Sequence, residues 1–95
     1  MDYNLIKGKA VMTNVLDAYS ATIPINYTTY DDGNIYFLKS PFSNTGVTPT
    51  LNINNIGAKA IKSKDGSPVI VGQIIINGWF IFLYEASTDT FILLN

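Results

Sequence analysis

From Ala18 onward the chain is patterned in steps of two. Tyr19, Ala21 and Ile23 alternate with Ser20 and Thr22 until Pro24. A period of two puts one set on each face of a strand, and proline ends the pairing. Residues 50–54 repeat the pattern, with Leu51 and Ile53 on one face and Asn52 and Asn54 on the other. Residues 34–39 form a denser apolar strand closed by Pro41, and residues 59–62 and 90–94 supply two more. In the last third, Asn77-Gly78 separates residues 73–76 from residues 79–85. Asn-Gly between two β runs predicts a hairpin with a type I′ turn, with positive φ at both residues.

Turn residues punctuate the strands. Asp31-Asp32-Gly33, Ser43-Asn44-Thr45-Gly46, Asn55-Ile56-Gly57, residues 64–68 and Ser87-Thr88-Asp89 are the clusters. Each supplies positive φ from Gly or a side chain that bonds its own backbone. Turns at this spacing predict an all-β fold, a small antiparallel β-sandwich or barrel of about seven strands. Residues 1–17 suit a helix as well as a frayed strand. They are set apart as an N-terminal segment that orders on a neighbouring subunit, with residues 18–95 as one β domain.

Composition narrows the chemistry. Of 95 residues, 47% are apolar and only 14% charged, with net charge −1. That balance argues against disorder and gives no electrostatic footprint for nucleic acid or an anionic membrane surface. His and Cys are absent. Their absence sets aside His-activated nucleophiles, thiolate or imidazole zinc sites and disulfides. No apolar run reaches the roughly 20 residues of a membrane-spanning helix, and no secretion signal is expected. No catalytic motif or phosphate-cradling loop is found, so no enzyme, cofactor or metal is expected. A chain this short and this apolar is expected to keep apolar patches outside its own core, which normally mark interfaces.

The remaining candidates each have a plain explanation beside the functional one. Asp31 and Asp32 with Asn34 offer half a cation site, but calcium needs six or more oxygens, and a solvated turn explains them. Lys59, Lys62 and Lys64 read as an exposed strand and turn kept soluble by lysine, rather than as a phosphate or glycan site. Asn26-Tyr27-Thr28 matches the glycosylation pattern by chance in the absence of a secretion signal. Phe37, Phe80, Phe82 and Phe91 sit in apolar runs and are assigned to the core. Tyr27, Tyr30 and Trp79 are candidates for a sugar-stacking platform, against plain packing or a subunit interface.

One stretch is more specific. Asn44-Thr45-Gly46, followed by Thr50-Leu51-Asn52-Ile53-Asn54-Asn55-Ile56-Gly57-Ala58-Lys59-Ala60-Ile61, resembles a pattern that recurs in bacteriophage tail-fibre proteins. Gly66, Gly72, Asn77-Gly78, Tyr84 and the ending Phe91-Ile92-Leu93-Leu94-Asn95 continue the resemblance, and Ala18-Tyr19 and Asp32-Gly33 extend it upstream. It covers roughly residues 16–95. The chain departs from it at Val47-Thr48-Pro49, which lengthens a tight link, and at Ala60, where the family often has proline. The resemblance implies a non-enzymatic virion protein, either a tail-fibre-like module or a capsid decoration or head-fibre protein. It also implies a homotrimer among other virion proteins, and it transfers no site residue. A carbohydrate-binding module that touches a host-surface glycan is the alternative.

Overall fold

The computed structural model describes residues 6–24 and 28–95. Eight strands follow in chain order: β1 (Ile6–Val11), β2 (Thr13–Val15), β3 (Ala18–Ala21), β4 (Ile35–Lys39), β5 (Thr50–Ile53), β6 (Ala58–Ser63), β7 (Trp79–Glu85) and β8 (Thr90–Leu93). They form one sheet in the order β1-β4-β7-β8-β6-β5-β3-β2. The outermost strands, β1 and β2, are consecutive in the chain and joined only by Met12. Met12 is buried and donates its N–H to Lys39 O. The sheet therefore curls until its two ends meet in one bent stretch of backbone, giving a nearly closed barrel.

The all-β barrel expected from the alternation is what forms, but its pairing is mixed. β1·β4, β3·β5 and β6·β8 are parallel, and the other four pairs are antiparallel. Turn spacing reports where strands end and not which strands pair, so the parallel contacts were not visible in it. The described part of residues 1–17 is not a separate tail, because Ile6–Val11 and Thr13–Val15 pair within the chain. Their pattern is weak because a register shift between Ile6 and Gly8 breaks the alternation and both strands lie at sheet ends.

The second correction concerns Asn77-Gly78. Residues 73–76 are not a strand, and Pro68 to Gly78 is an irregular crossing. Asn77 has φ 67°, but Gly78 is not in the positive-φ region. Gly78 N–H bonds Ile75 O, which with positive φ only at the third residue is the pattern of a type II turn. Glycine is required at position 78 for space: a Cβ there would lie 2.8 Å from the Phe80 ring and 3.1 Å from Ile75 O. The type I′ geometry appears instead at Asn54-Asn55, with φ 54° and 59° and an Ile56 N–H···O Ile53 bond. That turn joins the antiparallel strands β5 and β6.

The core follows the alternation. Tyr19, Leu51, Ile53, Phe82 and Phe91 are essentially inaccessible inside one cluster, together with Tyr36, Leu38 and Ile61. Phe37, assigned to the core from its apolar run, is only half-buried. Tyr36 and Leu38 occupy the inner face of β4, so period two sends Phe37 outward.

Candidate functional site

Of the aromatics suggested for a platform, the two described ones, Tyr30 and Trp79, do not come together. Tyr30 is half-buried with its ring on Tyr84 and Phe91, at centroid distances of 5.1 and 5.0 Å. Its hydroxyl accepts from Ile53 N–H at 2.8 Å and donates to Gly57 O at 2.7 Å. Burial pushes the Tyr30 phenol up, against those two backbone bonds. It is therefore a strut under the β5–β6 hairpin. Trp79 opens β7, five residues from Tyr84, about 17 Å away at the rise of a strand. It stands 46% exposed with the Lys9 ammonium 5.6 Å from its ring centroid, a cation–π contact. Tyr27 and Asn26 lie outside the described residues.

Most of the described acids are spent on local hydrogen bonds. Asp17 carboxylate oxygens accept from Thr45 N–H at 2.8 Å, Gly46 N–H at 2.7 Å and the Thr45 hydroxyl at 3.0 Å. The Thr45 backbone donor leads in holding this carboxyl below its ordinary range, with the Gly46 N–H and the Thr45 hydroxyl adding to it. Asp32 accepts from Ala86 N–H, and Asn34 Oδ1 accepts from Asp31 N–H, so the half cation site of Asp31, Asp32 and Asn34 is a closed turn. Asp65 takes the Ser67 N–H and hydroxyl, and Glu85 takes the Thr88 hydroxyl. Asp89 accepts from the Tyr84 hydroxyl and from Lys59. Its carboxylate, through that hydrogen bond, pushes the Tyr84 phenol up to about 12. Among the described residues no three acidic, His or Cys side chains converge as a metal site would need. Of the lysines 59, 62 and 64, Lys59 is committed to Asp89 at 2.9 Å.

The open space lies beside the Lys64–Ser67 turn. A groove of about 500 Å³ runs between that turn and β7–β8, floored by Leu83, Ile92 and Leu94 with Glu85 and Thr88 at its edge. A smaller one, about 290 Å³, lies on the other side, lined by Ser63, Gln73 and Asn95 among others. Asp65 and Glu85 both line the larger groove, and each carboxylate accepts from a nearby hydroxyl, Ser67 and Thr88.

Two features that sequence reasoning missed organise the surface. The first is Asn44, buried at 1% exposure in the Asn-Thr-Gly motif. Its Nδ2 donates to Gly46 O at 2.7 Å and Ile70 O at 2.9 Å, and its Oδ1 accepts from Ile74 N–H at 2.9 Å. Its backbone also exchanges bonds with Ile74 and Gly72. One side chain thus holds the crossing over residues 70–74 against residues 44–46. Nothing local in the sequence distinguishes this Asn from an ordinary turn Asn.

The second is the outer face of the sheet. Register places Lys9, Phe37, Ile81 and Leu94 in one cross-strand row, because Lys9 pairs with Phe37, Phe37 with Ile81, and Leu94 N–H bonds Ile81 O. Ile6, Ile35, Leu83 and Ile92 form the next row. This face is apolar where an antiparallel sheet facing water shows polar residues. The unbroken apolar runs at 35–38, 79–84 and 91–94 carried that signal, since strands buried on both faces read as continuous hydrophobic stretches.

No known protein family matches this sequence, and no curated protein matches it.

Proposed function

We propose that the protein is a non-enzymatic structural component of a bacteriophage virion, a tail-fibre-like module or a small capsid decoration or head-fibre protein. It works as a homotrimer in contact with other virion proteins. The observation that carries this is the surplus of apolar surface on a barrel most of whose described acids are tied into local hydrogen bonds. Twelve large hydrophobic side chains, from Leu94 at 38% to Val15 at 77%, stand exposed among the described residues. Contiguous patches above a few hundred Å² mark contact surfaces. The residues that resemble the fibre pattern support the same role. Asn44-Thr45-Gly46 becomes the clamp held by Asp17, and residues 50–61 become the β5–β6 hairpin braced by Tyr30. Both are devices of rigidity. The carbohydrate-binding alternative has no aromatic platform among the described residues to favour it.

Gold-labelled antibody against the protein, applied to purified particles of the phage that encodes it, tests the assignment. Regular labelling of tail or capsid is expected. Protein found only in the lysate, with unlabelled particles, would contradict it.

A further inference from the structure

We infer that the outer face of β1, β4, β7 and β8 is where one copy of this chain packs on another. The inference rests on the self-associating role above and names the surface that performs it. β4 and β7 are central strands of the barrel wall, and their inward residues already fill the core. Their outward residues are Ile35, Phe37, Ile81 and Leu83, each half-buried, with the Lys64–Ser67 turn standing beside Leu83. Ile6, Val11, Trp79 and Leu94 extend the surface, with exposures from 38% to 61%.

At roughly 150–250 Å² for a fully exposed large side chain, this face leaves on the order of 500 Å² of apolar area in water. That is the size of the largest apolar patch on a typical monomer, roughly 300–600 Å², a patch that is often a contact site. It approaches the ~800 Å² that each partner gives a standard interface, of which the apolar centre is only part. The rim supplies the rest and carries both signs. Lys9 and Lys39 flank the Trp79 end, and Glu85 closes the other end of β7. An apolar centre inside a charged rim is the anatomy of a protein interface. A rim of both signs lets the occupant be a second copy of the same chain without like charges facing throughout. Sheets stack face to face about 10 Å apart, a spacing that suits Leu and Ile rows such as these.

Size-exclusion chromatography with light scattering on Ile81→Glu and Leu94→Glu tests the surface, with Ile75→Glu, on the crossing outside these four strands, as control. Far-ultraviolet circular dichroism and a thermal melt establish that each variant is folded. Leu94→Glu, at the more exposed position, carries the test if Ile81→Glu unfolds. The expected result is a wild-type mass of several chains, a fall to one chain in folded Ile81→Glu or Leu94→Glu, and no change in Ile75→Glu. A folded outer-face variant that keeps the wild-type mass would overturn the surface while leaving self-association standing. So would dissociation by Ile75→Glu alone. A wild-type mass of one chain at the highest soluble concentration would overturn both the surface and the trimer, whereas the virion assignment answers separately to the particle labelling.

Discussion

Replacing Asn44 by Ala should destabilise the protein well beyond an ordinary loop substitution. The change removes three side-chain hydrogen bonds, two donated to Gly46 O and Ile70 O and one accepted from Ile74 N–H. A hydrogen bond contributes about 1 kcal/mol net, and a buried group left without a partner costs about 1–3 kcal/mol. Ile74 is fully buried, so its N–H has no path to water once Asn44 Oδ1 is gone. Gly46 and Ile70 are partly or largely exposed, so their carbonyls regain water and the loss there is small. The sum is roughly 2–4 kcal/mol, equivalent to a fall in Tm of roughly 10–25 °C for a domain of this size. Urea unfolding followed by circular dichroism reads it as a lower midpoint at unchanged slope. Asn44→Asp provides a second arm. It keeps the acceptor for Ile74 but sets a carboxylate against two carbonyl oxygens, so it should be destabilised at neutral pH and partly recover in acid. A loss below about 0.5 kcal/mol in Asn44→Ala, the range of an ordinary surface change, would refute the clamp.

Other substitutions test other parts of the fold. Phe82→Ala, at a fully buried site, should cost about 3–5 kcal/mol in the same unfolding assay, and a cost below 1 kcal/mol would mean the faces of β7 are reversed. Gly78→Ala should cost roughly 1–3 kcal/mol through the clash with Phe80, while Asn77→Gly should be nearly neutral because Asn77 already has positive φ; the opposite ranking by thermal melt would restore the type I′ hairpin. Asp17 has a lowered pKa, so the folded state binds its proton less tightly. Its stabilisation is present above the ordinary carboxyl value of 3.8 and is lost as pH falls through the lower folded value. Asp17→Asn should therefore flatten acid unfolding below about pH 4, and an unchanged acid limb would show that the carboxylate does not clamp residues 45–46. Tyr84 should ionise near pH 12, and Asp89→Asn should bring it down; an ultraviolet titration unchanged by Asp89→Asn would remove the Tyr84–Asp89 bond.

Alternation was enough to read the β class and most of the core, because period two depends only on which face a residue occupies. Tyr19, Leu51, Ile53, Phe82 and Phe91 were legible on that ground. Phe37 was misread because β4 is apolar on both faces, and period cannot choose between faces when every position is hydrophobic. Asn77-Gly78 carries strong local hairpin chemistry, yet tertiary bonds from Asn44 and Ser40 to residues 70–78 hold the preceding stretch out of any strand. β1 escaped notice because its partner is β4 in parallel, a contact between residues almost thirty apart that leaves no mark on either segment alone. Tyr30 and Trp79 stay apart for a related reason. Tyr30 and Trp79 have the chemistry of a sugar platform, but register sets them at opposite ends of β7. The outer face was visible in composition only as a surplus, since locating it required the order of strands in the sheet.

Sedimentation equilibrium of the full chain over a range of loading concentrations tests the central claim most directly, because it reports mass independently of shape. The account predicts a concentration-independent mass three times the 10.4 kDa of one chain, with apolar outer faces turned inward. A single-chain mass at every concentration would contradict it and leave a monomeric barrel that tolerates an apolar face in water.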